Sequence, residues 1–404
     1  MEKDNNNIKQ FSKKKKESIF DEFTRKRANL KINKFMWITG GIAVALFLLI
    51  VGFIISRVYL ANKEYTSVSV VDEVKFFIST GSEVDRFGNN FIVYNSDGIK
   101  CVNTKGEQIW NEAFQMQKPL VDIGKNIVAV ADYNGTTIFL MDDKAVLGRI
   151  DTGLPIRKFK AASSGYVMAV LDNTNNTPIY VYDTSGKEML YFNTTMKGYG
   201  YPLEIALSEN GILGAVSYLN VDKGSFNTTV GFYNFGEVGQ NYQDSLMSSY
   251  TYQSTLVPEM RFSASDKAVA IADNRLMFYA GDQMPKSTGE ILLSEKLLSV
   301  YEDDNYVALF YNSDNEEYEY KAEIYDYSAK LKDTVYYNIE YNDVFFDGDR
   351  FILYNNNEIL IHNIGGKDKF MGNVEETILA MLPTSSSKKM ILITPDEIKT
   401  VEFN

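Results

Sequence analysis

The feature that most limits the fold is a short plan that recurs along the chain: strand, a turn opened by Asn or Asp, strand. "VNTKGEQIW" (102–110) carries it with the turn slot at Asn103. "VYDTSGKEMLYF" (181–192), "IYDYSAKLKDTVYY" (324–337) and "IHNIGGKDKF" (361–370) repeat it at Asp183, Asp326 and Asn363. Weaker copies stand at Asp142, Asn234, Ala280 and Glu402. Successive slots lie 39, 41, 51, 46, 46, 37 and 39 residues apart, about 43 on average. A period of this length built only of strands is that of propeller blades, each burying its faces against its neighbours.

Upstream of the turns lie continuous apolar runs such as "IVAVA" (127–131), "YVMAVL" (166–171) and "FILY" (351–354). Continuous runs, not alternating ones, are expected where both faces of a sheet are covered. Residues 66–404 have room for eight units, and seven with one long unit is the alternative. The last unit is one strand short, while "TSVSVV" (66–71) precedes the first unit's inner strand. The expectation is an all-β, eight-bladed β-propeller whose N-terminal strand completes the last blade and removes the open edges.

Before the repeats stands "FMWITGGIAVALFLLIVGFII", Phe35–Ile55, 21 residues without a charge. As a helix it measures about 30 Å, the hydrocarbon thickness of a bilayer. It has no polar stripe, it is longer than a signal-peptide core, and no small-residue cleavage pattern follows it. It therefore reads as a single-pass transmembrane anchor, with the helix set at 35–57. Residues 1–34 hold 11 Lys and Arg against 5 Asp and Glu. That bias places a basic tail (1–34) in the cytoplasm and, after a linker (58–65), an extracellular propeller (66–404).

The chain carries −12 overall, and everything after residue 34 holds 30 basic against 48 acidic groups. Such a body repels phosphates, so no nucleic-acid partner is expected. The basic tail can touch anionic lipid.

Little catalytic chemistry survives inventory. Cys101 and His362 are the only residues of their kinds, so disulfides, Cys-based zinc sites and H-E-x-x-H are excluded. His362, in "LIHNIGG" (360–366), reads as an ordinary turn residue, and Cys101 as packed between blades. Asp172, Thr174 and Asn176 lack the full calcium-loop pattern and read as a solvated turn. No catalytic residue, cofactor or metal ligand is assigned. A carboxylate pair for glycoside hydrolysis stays open, because the many acidic groups give no way to choose one.

In a four-strand meander, connections between the second and third strands and those between blades leave by one face. The loops "MKGYGYP" (196–202), "NVDKGSFN" (220–227), "SYTYQST" (249–255) and "NSDNEEYEY" (312–320) share it. They carry Tyr199, Tyr201, Phe226, Tyr250, Tyr252, Tyr318 and Tyr320. Tyrosine suits a surface that must be apolar and hydrogen-bonding at once, so these seven form a candidate partner-binding face.

The blade plan, with its turn leading to Trp110, resembles the repeat of quinoprotein-type, WD40-like propellers. The recurring tryptophans of that group are absent, as are evident ligands for a quinone and its calcium ion. As a whole the chain is similar to an uncharacterised family of Gram-positive single-pass membrane proteins with a basic tail, one anchor and an external propeller. The resemblance implies location and fold. The function expected is a binding or scaffold module for a protein or glycan of the cell envelope. An extracellular carbohydrate-active enzyme is the alternative.

Overall fold

The computed structural model describes residues 21–22, 24–26, 37–53, 63–194 and 200–404. They fall into two compact units, 1–63 and 64–404. Residues 37–53 are helical. Among the described residues no helix is long and apolar enough to cross a membrane. The expected span Phe35–Ile55 runs beyond the described residues at both ends.

Residues 64–404 form eight four-stranded antiparallel sheets, one per blade. Their first strands are Glu83–Phe87, Pro119–Ile123, Ile156–Ala161, Tyr201–Leu207, Glu259–Ser263, Ser299–Glu302, Asp343–Asp347 and Ala380–Pro383, in blades 1 to 8. Seven blades are meanders of consecutive strands. Blade 8 takes only three strands from the end of the chain, and its fourth is Val68–Lys75. That strand pairs antiparallel with Glu397–Phe403, from Val68 opposite Phe403 to Lys75 opposite Glu397. The expected closure is therefore present, two residues later than "TSVSVV" begins. It joins the two ends of the propeller into a ring and leaves no inner strand edge open.

Eight hydrophobic clusters hold the ring, one in each seam between neighbouring blades. Phe87, Ile92 and Cys101 of blade 1 meet Val128 and Val130 of blade 2, and so on around to Phe91 and Val93 of blade 1 against Leu382 and Ile391 of blade 8. The second strands are buried on both faces, Val167–Leu171 along its whole length. That is why they read as unbroken apolar runs.

Three slots of the repeat share one mechanism, whereas Ala280 has no side-chain acceptor and Glu402 lies within the strand Glu397–Phe403. The Asn103 side-chain oxygen accepts the backbone N–H of Lys105 at 2.9 Å and of Glu107 at 3.0 Å. Asp183 takes Ser185 and Lys187 in the same way, and Asp326 takes Ser328 and Lys330. Each closes a turn between the third and fourth strands by capping two amides that no sheet partner reaches. Three residues after the slot the backbone turns left-handed, at Gly106 (φ 77°), Gly186 (φ 81°) and Ala329 (φ 60°).

Blade 4 departs from this regularity. Its second and third strands, Leu213–Asp222 and Ser225–Asn234, are ten residues long and stay paired to their tips. The flanking strands reach only Leu219 and Asn227. Residues 220–225 therefore extend beyond the sheet as the tip of a two-stranded ribbon, turned by Lys223 (φ 47°) and Gly224 (φ 87°). The Phe226 carbonyl is the last to accept from the fourth strand's end, from Ser254 N–H at 3.0 Å.

Candidate functional site

The first strands of all eight blades line a central cavity of about 760 Å³. They carry charges of both signs: Asp85 and Arg86 in blade 1, Asp122 in blade 2, Lys158 and Lys160 in blade 3, Glu204 in blade 4, Glu259 and Arg261 in blade 5, Glu302 in blade 6. Neighbours pair across the seams. Lys160 meets Asp122 at 2.9 Å, Lys158 meets Glu204 at 2.7 Å, and Arg261 meets Glu302 at 3.9 Å. The inner strand of blade 8, Ala380–Pro383, carries no charge and contributes Pro383 to the lining. Arg86 passes it and reaches Asp343 of blade 7 at 2.7 Å.

At the end of the cavity where the first and second strands connect, Lys125 of blade 2 approaches Glu209 (3.7 Å) and Asp304 (3.8 Å) of blades 4 and 6. Backbone bonds link the loops there: Ser164 N–H donates to Glu209 O at 3.0 Å, and Glu209 N–H to Ala264 O at 3.2 Å.

Four carboxylates lining the cavity, Asp85, Glu259, Glu302 and Asp303, are poorly solvated, and burial raises the titration of each. Burial pushes Glu302 up to about 7, with Glu259 adding to the effect and Arg261 opposing it. Burial also raises Glu259, helped by Glu204. Burial disfavours the Lys160 ammonium, but Asp122 outweighs it and raises that group's affinity for its proton. Sequence reasoning passed over this set. The available signal was a charged residue recurring in the first strand of successive blades.

The residues expected to form an aromatic face divide between two places. Tyr201, Phe226, Tyr250 and Tyr252 project from one face of blade 4. The register places Tyr201, Leu219, Thr228 and Tyr252 in one cross-strand row. Val221 stands opposite Phe226 in the ribbon, on the same side. Tyr250 and Tyr252 pack into the seam with blade 5. The Tyr252 hydroxyl bonds that of Tyr279 at 2.7 Å, and the Tyr250 hydroxyl accepts Ser287 N–H at 3.2 Å. Tyr201 is 40% exposed and Val221 63%. Tyr199 lies outside the described residues.

Tyr318 and Tyr320 belong to blade 6. Tyr320 stacks on Tyr337, ring centres 5.6 Å apart, in the seam with blade 7. Tyr318 leans on Tyr336 at 5.9 Å. Both Tyr318 and Tyr336 line a second cavity of about 500 Å³ on the outer side of that seam, together with Tyr65, His362 and Met371.

His362 lies in the strand Glu358–Asn363, not in the turn. Its Nδ1 is 2.6 Å from Asp368 and its Nε2 2.9 Å from Asp333 of blade 6. Cys101 is fully buried, and burial pushes its thiol up to about 12, with Asp143 adding to the rise. A thiol so protonated is a poor nucleophile. Asp172 is bound to Arg157. Among the described residues no three His, Cys, Asp or Glu side chains converge as a metal site would need.

Several solved structures resemble this architecture. They include BamB from Moraxella catarrhalis (8% identity, 83% of this chain and 100% of that one, TM-score 0.48). AztD from Citrobacter koseri is also similar (10%, 73% and 87%, TM-score 0.49), as is a eukaryotic initiation factor (12%, 85% and 87%, TM-score 0.49). No curated protein matches the chain in sequence. A family of unknown function, DUF5711, matches residues 61–403 and so takes in the whole ring with its closing strand, and the chain belongs to that family.

Proposed function

We propose that the protein is a membrane-anchored binding module that presents its propeller outside the cell to a protein or glycan of the envelope. The carrying observation is the blade 4 ribbon. A hairpin that outruns its own sheet and exposes Val221 opposite Phe226, with Tyr201 at its base, adds nothing to the seams. Apolar side chains projected into water at a rigid tip are the usual centre of a protein contact. The anchor and orientation rest on the uncharged stretch Phe35–Ile55 and the excess of Lys and Arg before it.

Tyr318, with Tyr336 beside it, adds a second aromatic surface at the groove between blades 6 and 7. The tail's basic residues contribute contact with anionic lipid at the inner leaflet.

Chemical crosslinking on intact cells tests this reading. The wild type should capture a discrete partner, and a Val221→Asp, Phe226→Ser variant should lose it at unchanged melting temperature. Undiminished capture by the variant contradicts the assignment. Protease added to the same cells should remove the propeller and spare the first 57 or so residues. A protected propeller contradicts the orientation.

A second reading, a carbohydrate-active enzyme, is favoured by one observation: Glu302 with its raised titration lies near Glu259 in an open cavity. A carboxylic acid kept protonated near neutrality suits general acid catalysis at a glycosidic bond. Hydrolysis of envelope polysaccharide that disappears in Glu302→Gln supports it, and equal turnover by that variant removes it.

A further inference from the structure

His362 is the chain's only histidine, and it is 7% exposed. Both ring nitrogens face carboxylates, and the two come from different blades. Asp368 opens the outer strand of blade 7, Asp368–Asn373. Asp333 sits in the outer strand of blade 6, Leu331–Tyr337. The same Asp333 oxygen accepts the Gly365 N–H at 2.6 Å, so the blade 7 turn hangs on it too.

A neutral imidazole has one N–H. It can donate to one of these carboxylates, and its other nitrogen then turns a lone pair toward the second. Only the imidazolium donates to both. Burial opposes that charge, but the hydrogen bonds to Asp368 and Asp333 outweigh it, so His362 titrates above its ordinary 6.5. The charged groups against the ring are those two carboxylates. Lys367, Lys369 and Glu64 line the adjoining groove with Tyr65, Tyr318 and Tyr336, and Lys369 lies over the Tyr65 ring at 5.2 Å.

We propose that His362 is a proton-operated latch between blades 6 and 7. Protonated, it ties the two outer strands and fixes the wall of the groove of about 500 Å³ beside it. Deprotonated, it drops one of its two carboxylates and the outer seam loosens. The sign follows from the raised titration. The latch is fully engaged below about 6.5, the value for an open, solvated imidazole, and is lost as pH climbs through the higher value of the closed state. Between those two values, opening increases about tenfold per pH unit, then levels off. This inference is independent of the blade 4 ribbon and of any partner.

One histidine gives one imidazole signal, so the full-length chain can be labelled at the histidine Cε1 and titrated by nuclear magnetic resonance. The expected midpoint lies above 6.5. Hydrogen exchange over the same pH range should show Leu331–Tyr337 and Asp368–Asn373 losing protection stepwise, relative to the blade 2 outer strand Val146–Asp151 and after correction for intrinsic rates. His362→Gln should abolish the step, and Asp333→Asn should lower the midpoint. Should either variant fail to fold, the wild-type curves decide alone. A midpoint at or below 6.5, or exchange at the seam that ignores pH, overturns the latch. So does a step that survives in His362→Gln.

Discussion

Arg86 of blade 1 donates to Asp343 of blade 7 at 2.7 Å, passing over the uncharged inner strand of blade 8. Its guanidinium also reaches Val344 O (3.4 Å) and the Tyr354 hydroxyl (3.5 Å) and lies 4.3 Å from the Phe345 ring centre. Burial disfavours the charge, but Asp343 outweighs it and raises the guanidinium's affinity for its proton. Blade 8 is made from both ends of the chain, so this contact braces the ring where it is covalently open. Arg86→Leu should cost about 2 to 3 kcal/mol in urea unfolding, because Asp343 is left without its cation. Arg86→Lys should recover under half, since an ammonium cannot serve the same fork of acceptors. A loss below about 0.5 kcal/mol for Arg86→Leu would show that the seams alone hold the ring.

The closing strand makes a sharper test of the architecture. Removing residues 1–61 leaves Val68–Lys75 in place, whereas removing 1–79 strips blade 8 of its outer strand and exposes Glu397–Phe403 as an edge. The shorter chain should melt well below the longer one and aggregate. Equal melting temperatures would contradict the ring.

Glu302 supplies a pH dependence of its own. Its folded titration, about 7, stands above the ordinary 4.5 because burial disfavours the carboxylate. The folded state therefore holds this proton more tightly. The stability it adds is complete below about 4.5 and is lost as pH rises through about 7. Glu302→Gln should match the wild type near pH 4.5 and exceed it at about pH 8, by on the order of 1 to 3 kcal/mol. A variant less stable than wild type at pH 8 would show that the Arg261 pair repays the burial.

Two tyrosines proposed from sequence as binding residues should behave as seam residues. Tyr252→Phe removes the partner of a Tyr279 hydroxyl that is itself buried, a loss of about 1 to 2 kcal/mol. Replacing Tyr250 and Tyr252 together by Ser empties the blade 4–5 seam and should cost about 4 kcal/mol or more. A stable double variant would show them to be surface groups.

Ala329 occupies the left-handed turn position that Gly106 and Gly186 fill in other blades. Ala329→Gly should raise stability by about 0.5 to 1 kcal/mol, since its Cβ is strained at φ 60°. Lower stability would mean its packing against the blade 5–6 seam matters more than the strain.

How far the sequence was legible follows from these residues. The blade count and the closing strand could be read because Asx slots such as Asn103, Asp183 and Asp326 act locally, each capping amides two and four residues on. Those interactions leave a signature at fixed spacing. The cavity charges were not legible. Arg86 and Asp343 are 257 residues apart, and in sequence each resembles a solvated strand-face charge. Tyr250 and Tyr252 were placed in a loop, although their spacing of two along Leu246–Gln253 already put both on one face of a strand. His362 looked like part of a turn because the second carboxylate that fixes it comes from another blade.

The claim that the blade 4 ribbon is the contact surface can be tested from the tip itself. A photo-crosslinking side chain is placed at Val221 in cells, with the same group at Lys144 in a turn on the opposite end of the ring as control. The account predicts a discrete adduct from position 221 that disappears with Tyr201→Ser and Phe226→Ser, and none from 144. Adducts of equal yield from both positions, or a 221 adduct untouched by those substitutions, would contradict it.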